Sequence, residues 1–228
     1  IHKLRIWDRL SAERVDHFIA NSKTTQNRIH KYYRKTSSVI HPPVNTDQFQ
    51  ISDSPKDYFL AIGRLTPYKK FDLIIKTFNK TGLPLKIVGG GVAAQELRRI
   101  AKPNIEFLGF VPETELAPLY ASARALIFPQ IEDFGITPLE AMASGRPVIA
   151  FQKGGALETV IQDQTGFFFK DQTENSLMHA LNQFQKIERT FSPQKIRTHS
   201  EKFSTQNFQT KLHKYIEEKW EKHLKVIS

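Results

Sequence analysis

The chain has 228 residues, 39% of them hydrophobic, with a formal net charge of +10 and no cysteine. That length holds one full domain and part of a second, with enough apolar residues for a packed core. The composition excludes a disulfide framework and a thiolate metal site. No apolar run nears the roughly 18 residues that a membrane span needs, and the opening IHKLRIWDRL lacks the layout of a secretory signal.

In chain order, residues 1–15 read as a helix, with Trp7, Leu10 and Arg14 at spacings of three and four. DHFIA (16–20) reads as a short buried strand. Asn21 and Ser22 supply cap chemistry for a helix through Tyr33, and residues 38–41 read as a second strand before Pro42-Pro43. One strand–helix–strand unit cannot cover both faces of a sheet, so residues 1–41 are expected to be the remnant of a domain whose beginning is absent. Residues 42–56, rich in proline and polar turn residues, read as an interdomain linker.

From residue 57 the pattern changes. Six short apolar runs, YFLAIG, LKIVG, IEFLGF, ALIFP, PVIAF and GFFF, alternate with helical stretches as far as residue 204. Such alternation predicts an α/β fold with a doubly wound, Rossmann-like parallel sheet. The last segment, 205–228, reads as one helix with Phe208, Leu212, Tyr215, Ile216 and Trp220 on one face.

Three stretches carry chemistry. After the first of the six strands comes GRLTPYKK, residues 63–70, where Gly63 permits a turn and Arg64 and Lys69 set two cations over the carboxyl edge of the sheet. Arginine grips phosphate oxygens bidentately and lysine acts as a point charge; a solvated basic loop is the plain alternative. After the second strand, Gly89, Gly91 and Ala94 satisfy the dinucleotide pattern G-x-G-x-x-A. That pattern belongs on a first strand, and the acidic residue at about the right distance, Glu106, lies inside a strand, which weighs against a nicotinamide enzyme.

The third stretch is PQIEDFGITPLEAMASG, residues 129–145. Thr137, Pro138 and Glu140 predict a helix with Thr137 as its N-cap, its free amides suited to phosphate. Gly135 lets backbone approach a ligand closely. Glu132 and Glu140, with seven residues between them, suit sugar hydroxyls, although Glu140 is equally placed to close a capping box onto Thr137 and Glu132 to sit in a solvated loop. The eight histidines show no metal-ligand spacing, so metal independence is expected. The basic residues are spread without a nucleic-acid module, so nucleic acid is not expected as a partner; a diphosphate substrate or anionic lipid accounts for the charge as well.

EDFGITPLEAMASGRPVIA resembles the E-x7-E segment of the retaining nucleotide-sugar glycosyltransferases of the GT-B fold, the family 4 group rich in mannosyltransferases. GRLTPYKKFD is similar to that family's G-R-L-x-x-x-K segment, with Lys70 where glycine is usual. RVDHFIANSKTTQNRIHKYY and VIHPPVNTDQF are similar to the end of its acceptor-side domain and its linker.

The resemblance implies that this chain is the C-terminal, donor-binding half of a GT-B enzyme, inactive alone, with residues 205–228 as a helix crossing back to the absent domain or meeting a neighbouring copy. It implies that Arg64 and Lys69 bind donor phosphates, together with the Ile136 and Thr137 amides. Gly63 and Gly89 belong to loops approaching the donor; Phe110 and Val111 stand in the segment that contacts the base, with core packing as their alternative. Glu132, with the Phe134 and Gly135 backbone, contacts the sugar, and Glu140 accepts from the ribose. The implied reaction is sugar transfer with retention from a nucleotide sugar, GDP-mannose first, to a saccharide or lipid-linked acceptor, without a cofactor. The expected location is the cytoplasm, with peripheral contact at the inner face of the plasma membrane as an option. A nucleotide-sugar-binding module without transfer activity and a sugar-nucleotide epimerase-like enzyme are the alternatives.

Overall fold

The computed structural model describes residues 1–52 and 54–227. It opens with α1 (His2–Ala12), which stops three residues short of the predicted end. Then β1 (Phe18–Ala20), α2 (Lys23–Tyr33) and β2 (Ser37–Val39) form a two-stranded parallel unit. Ser22 caps α2, its hydroxyl accepting from the Thr25 N–H at 3.0 Å. The connecting segment is packed rather than loose: Val44 and Phe49 are buried, and the Val44 N–H donates to the Phe203 carbonyl at 2.8 Å.

The main body alternates strands and helices: β3 (Phe59–Ile62), α3 (Phe71–Thr81), β4 (Leu85–Val88), α4 (Ala94–Ile100), β5 (Ile105–Gly109), α5 (Glu113–Ser122), β6 (Leu126–Phe128), α6 (Ile136–Ala143), β7 (Val148–Phe151), α7 (Ala156–Thr159), β8 (Gly166–Phe169), α8 (Glu174–Ile187) and α9 (Pro193–Glu201). The strands pair in parallel in the order β5-β4-β3-β6-β7-β8. The chain reverses its direction of growth between β3 and β6. In an open parallel sheet the carboxyl ends of the strands at such a reversal leave a crevice for ligand.

Period-two alternation builds a core on each face. Phe59, Ala61, Ile127 and Ile149 join Phe78 and Phe184 under α3 and α8. Leu60, Leu126, Phe128, Val148 and Ala150 join Leu139, Met142 and Ile196 under α6 and α9. The central strands β3, β6 and β7 are buried on both faces and read as continuous apolar runs, whereas β4 and the edge strand β5 each carry one charged residue, Lys86 and Glu106. Losing a ring as enclosed as Phe78 or Phe184 costs about 3–5 kcal/mol.

The last helix, α10 (Thr205–Ile227), carries the expected apolar stripe, but Ile216 and Trp220 on it are exposed, as are Leu4, Trp7 and Leu10 on α1. Among the described residues no helix is long and apolar enough to cross a membrane.

Candidate functional site

The β3 loop starts the site. Gly63 leaves the strand, Arg64 is exposed, and Leu65 plugs into the core, so the backbone is pinned while the guanidinium is left outside. A short 3-10 turn over Pro67–Lys69 then delivers Lys69, and Lys70 takes a left-handed φ of 58° to start α3. That conformation explains why glycine suits position 70: a Cβ strains it.

The glycines after β4 serve this loop. The Gly63 N–H donates to the Val88 carbonyl at 3.0 Å, the Leu65 N–H to Gly90 at 2.9 Å, and the Ala93 N–H to Leu65 at 3.0 Å. A Cβ at Gly89 would collide with the Gly63 carbonyl oxygen, and one at Gly91 with that of Leu65. Here the G-x-G pattern makes room for the neighbouring loop that carries Arg64. Glu106, the acidic residue of the dinucleotide alternative, points elsewhere and pairs with Lys86 at 3.1 Å.

The β6–α6 loop faces the β3 loop across the chain reversal. Lys69 Nζ forms an ion pair with the Glu132 carboxylate, both side chains mostly shielded. The sequence assigns the pair to different parts of a ligand; the structure joins them. One expectation is corrected here: α6 begins at Ile136 with Gly135 as N-cap at φ 87°, and no side chain caps it. Thr137 is thus inside the helix, and the capping box with Glu140 is not formed. The first amides, Ile136 and Thr137, have no intrahelical partner.

Glu140 is instead engaged from below. The Tyr120 hydroxyl, on α5, donates to its carboxylate at 2.6 Å. Burial raises the Glu140 pKa above the usual carboxylate value, with Tyr120 opposing and Glu113 adding to the rise. Burial, with Glu140 adding, pushes the Tyr120 phenol well above its ordinary value. Tyr120 had no signal in the sequence, where it reads as one more apolar helix position.

A cleft of about 520 Å³ opens at this edge, lined by Lys69, Glu132, Phe134, Gly135, Ile136 and Thr137, and by Asn21 and Pro42 from the β1–α2–β2 unit. Those last two wall residues went unread as well. Phe134 turns its ring away into the core, stacked on His41 at 5.1 Å, so only its backbone is offered to the cleft. The Arg28 guanidinium reaches the loop too, pairing with Asp133 at 2.5 Å. Arg64 does not line this cleft. Val111 packs against the second core, whereas Phe110 is 87% exposed, which removes core packing as its explanation. A cavity of about 580 Å³ lies at the opposite edge of the sheet, but its Arg124 is already held by Glu188 and Asp57. No cluster of three or more metal-ligating side chains occurs among the described residues.

A doubly wound parallel sheet with a cation, a carboxylate and open helix amides at its reversal defines a Rossmann-like class of α/β protein. The description "Glycosyl transferases group 1" matches residues 44–203, and the chain belongs to that family. The O-antigen chain mannosyltransferase RfbU of Salmonella typhimurium is 34% identical over 153 residues, covering 62% of this chain and 43% of that protein. O-antigen chain mannosyltransferase C of Escherichia coli is 28% identical over 192 residues, covering 76% and 50%. The chain spans about half the length of the curated relatives it matches.

Among solved structures, sucrose-phosphate synthase from Thermosynechococcus elongatus matches with a TM-score of 0.84 at 22% identity, over 96% of this chain and 62% of that one. Anabaena Alr3699/HepE, solved with UDP and glucose, matches with a TM-score of 0.82 at 19% identity, over 94% and 66%. The fold class is that of the GT-B glycosyltransferases.

Proposed function

We propose that this chain is the donor-binding part of a retaining glycosyltransferase that passes mannose from GDP-mannose to a saccharide or lipid-linked acceptor. The observation that carries the reading is the meeting of Lys69 and Glu132 beside the open amides of Ile136 and Thr137. Breaking the bond from the anomeric carbon to the diphosphate leaves a cationic sugar and an anionic leaving group. Arg64, Lys69 and the two amides stabilise the departing diphosphate, and fixed donors of this kind lower a barrier without reorganising. Glu132, with the Phe134 and Gly135 backbone, takes the sugar hydroxyls, and Glu140 accepts from the ribose. Gly63 and Gly89 shape the phosphate loop, and Val111 lies beside the base.

The donor is a substrate, and the reaction needs neither cofactor nor metal. Mannose is supported by the names of relatives, two of them O-antigen chain mannosyltransferases. Retention rests on the family likeness of the E-x7-E segment. The basic helix α10 suits contact with an anionic membrane surface. A thermal-shift and calorimetric screen of GDP, UDP, ADP and their sugars tests the reading. Tightest binding by GDP-mannose is expected; binding of none of these ligands refutes it.

A further inference from the structure

Glu158, on α7, does not line the cleft, yet it holds the wall that faces it. Both of its carboxylate oxygens accept from the Lys23 backbone N–H at 2.9 Å, and one lies 3.0 Å from His41 Nε2. Lys23 is the first residue of α2, and Ser22 spends its hydroxyl on Thr25. Glu158 therefore satisfies, from another part of the fold, an amide that the helix's own cap leaves open. A carboxylate at a helix N-terminus is also favoured by the helix dipole. This one is well shielded, with its side chain 13% exposed.

The other end of the connection is fixed to the acidic loop. The Gly155 N–H, just before α7, donates to the Glu132 carbonyl at 2.9 Å, and a Cβ at Gly155 would collide with the Phe134 backbone. His41 closes the circuit by lying nearly parallel on the Phe134 ring, at 18°. The two groups gripped by Glu158, Lys23 and His41, stand two residues from Asn21 and one from Pro42. Those are the two wall residues that the β1–α2–β2 unit gives to the cleft.

We infer that Glu158 is a positioning residue: by gripping the Lys23 amide and His41 it sets the Asn21–Pro42 wall opposite Glu132. For its ligand this rests on the donor-site reading above. Asn21 and Pro42 line one cleft with Glu132, the residue read as contacting the sugar, so displacing them is expected to fall on the sugar end of a nucleotide sugar, while the diphosphate keeps the β3 loop and the α6 amides.

Two variants of the 228-residue chain test this. Glu158→Ala removes the carboxylate. Lys23→Pro removes the N–H without disturbing the helix start, since proline is well accommodated at a first helical position after an extended residue such as Ser22, and Lys23→Ala controls for the lost side chain, which reaches Gln26. Calorimetry with GDP, GDP-mannose, UDP and UDP-glucose, and hydrogen exchange of the α2 amides, are the readouts. For whichever base binds wild type, the nucleotide-sugar Kd rises about tenfold in both variants while the nucleoside diphosphate Kd stays within about twofold. The first-turn amides of α2 exchange faster in both, and Lys23→Ala, which keeps its N–H, behaves as wild type. Unchanged nucleotide-sugar affinity in both variants, or equal loss of both ligands, overturns the inference. If wild type binds none of the four, the donor-site reading fails, and unchanged α2 exchange in Glu158→Ala then independently refutes the grip.

Discussion

The Tyr120 hydroxyl donates to the Glu140 carboxylate at 2.6 Å, so the second glutamate of the E-x7-E segment is held from inside the core and owes nothing to a capping box. Two substitutions separate holding from binding. Tyr120→Phe leaves a largely buried carboxylate without its donor and is expected to cost about 1–3 kcal/mol of stability in denaturant titration. Glu140→Gln keeps an oxygen for Tyr120 and removes a desolvated charge, so stability holds or rises, while affinity for a nucleoside diphosphate falls. Equal binding by wild type and Glu140→Gln would remove the ribose role.

The same glutamate sets a pH signature. Its folded pKa is raised above the unfolded 4.5, chiefly by burial, so its contribution to stability is full below that value and is lost as pH rises through the folded pKa. Ribose hydroxyls donate more strongly to the ionised form than to the neutral acid, so nucleotide affinity moves the other way, strengthening as pH rises through the same pKa. Calorimetry and chemical denaturation across this range are expected to give opposite slopes for this group, both flattened in Glu140→Gln. Parallel slopes would contradict the assignment.

The central strands were legible because burial on both faces leaves uninterrupted apolar runs, β4 and β5 because a single charge does not break theirs, and the cations and glutamates because loops at the carboxyl edge need turn residues beside charge. What stayed hidden are relationships across distance. Nothing in LAPLYAS marks Tyr120 as the partner of Glu140, 20 residues on, and nothing near Asn21 announces that it walls a cleft with Glu132. Thr137 was misplaced for a local reason. T-P-L-E satisfies cap chemistry, but Gly135 can adopt a φ of 87° that starts the helix earlier, and backbone freedom prevailed over side-chain preference.

Lys70 offers a test of the β3 loop alone. Its φ of 58° is a conformation that costs a side-chain-bearing residue about 1–2 kcal/mol, partly offset by the greater unfolded freedom of glycine. Lys70→Gly is therefore expected to raise stability by about 0.5–1 kcal/mol, read as a higher denaturation midpoint, with nucleotide affinity nearly unchanged. A destabilised variant would mean that the Lys70 side chain holds the loop through contacts outweighing its strain.

The ion pair of Lys69 with Glu132 makes the two loops a single electrostatic unit, and its variants should not behave independently. Lys69→Ala removes the cation offered to phosphate and leaves Glu132 facing the cleft unpaired, so nucleoside diphosphate affinity should fall by about 1.5–3 kcal/mol. Arg64→Ala, outside the pair, should lose a similar amount without altering the effect of changes at Glu132. Glu132→Gln frees Lys69 and removes a negative charge from beside the diphosphate, so it should tighten GDP or UDP while weakening the corresponding nucleotide sugar, which loses an acceptor for its hydroxyls. A double-mutant cycle by calorimetry measures the coupling, expected at about 0.5–3 kcal/mol for Lys69 with Glu132 and near zero for Arg64 with Glu132. If Glu132→Gln weakens the nucleoside diphosphate and its sugar alike, then the carboxylate holds Lys69 in place and does not itself read the sugar.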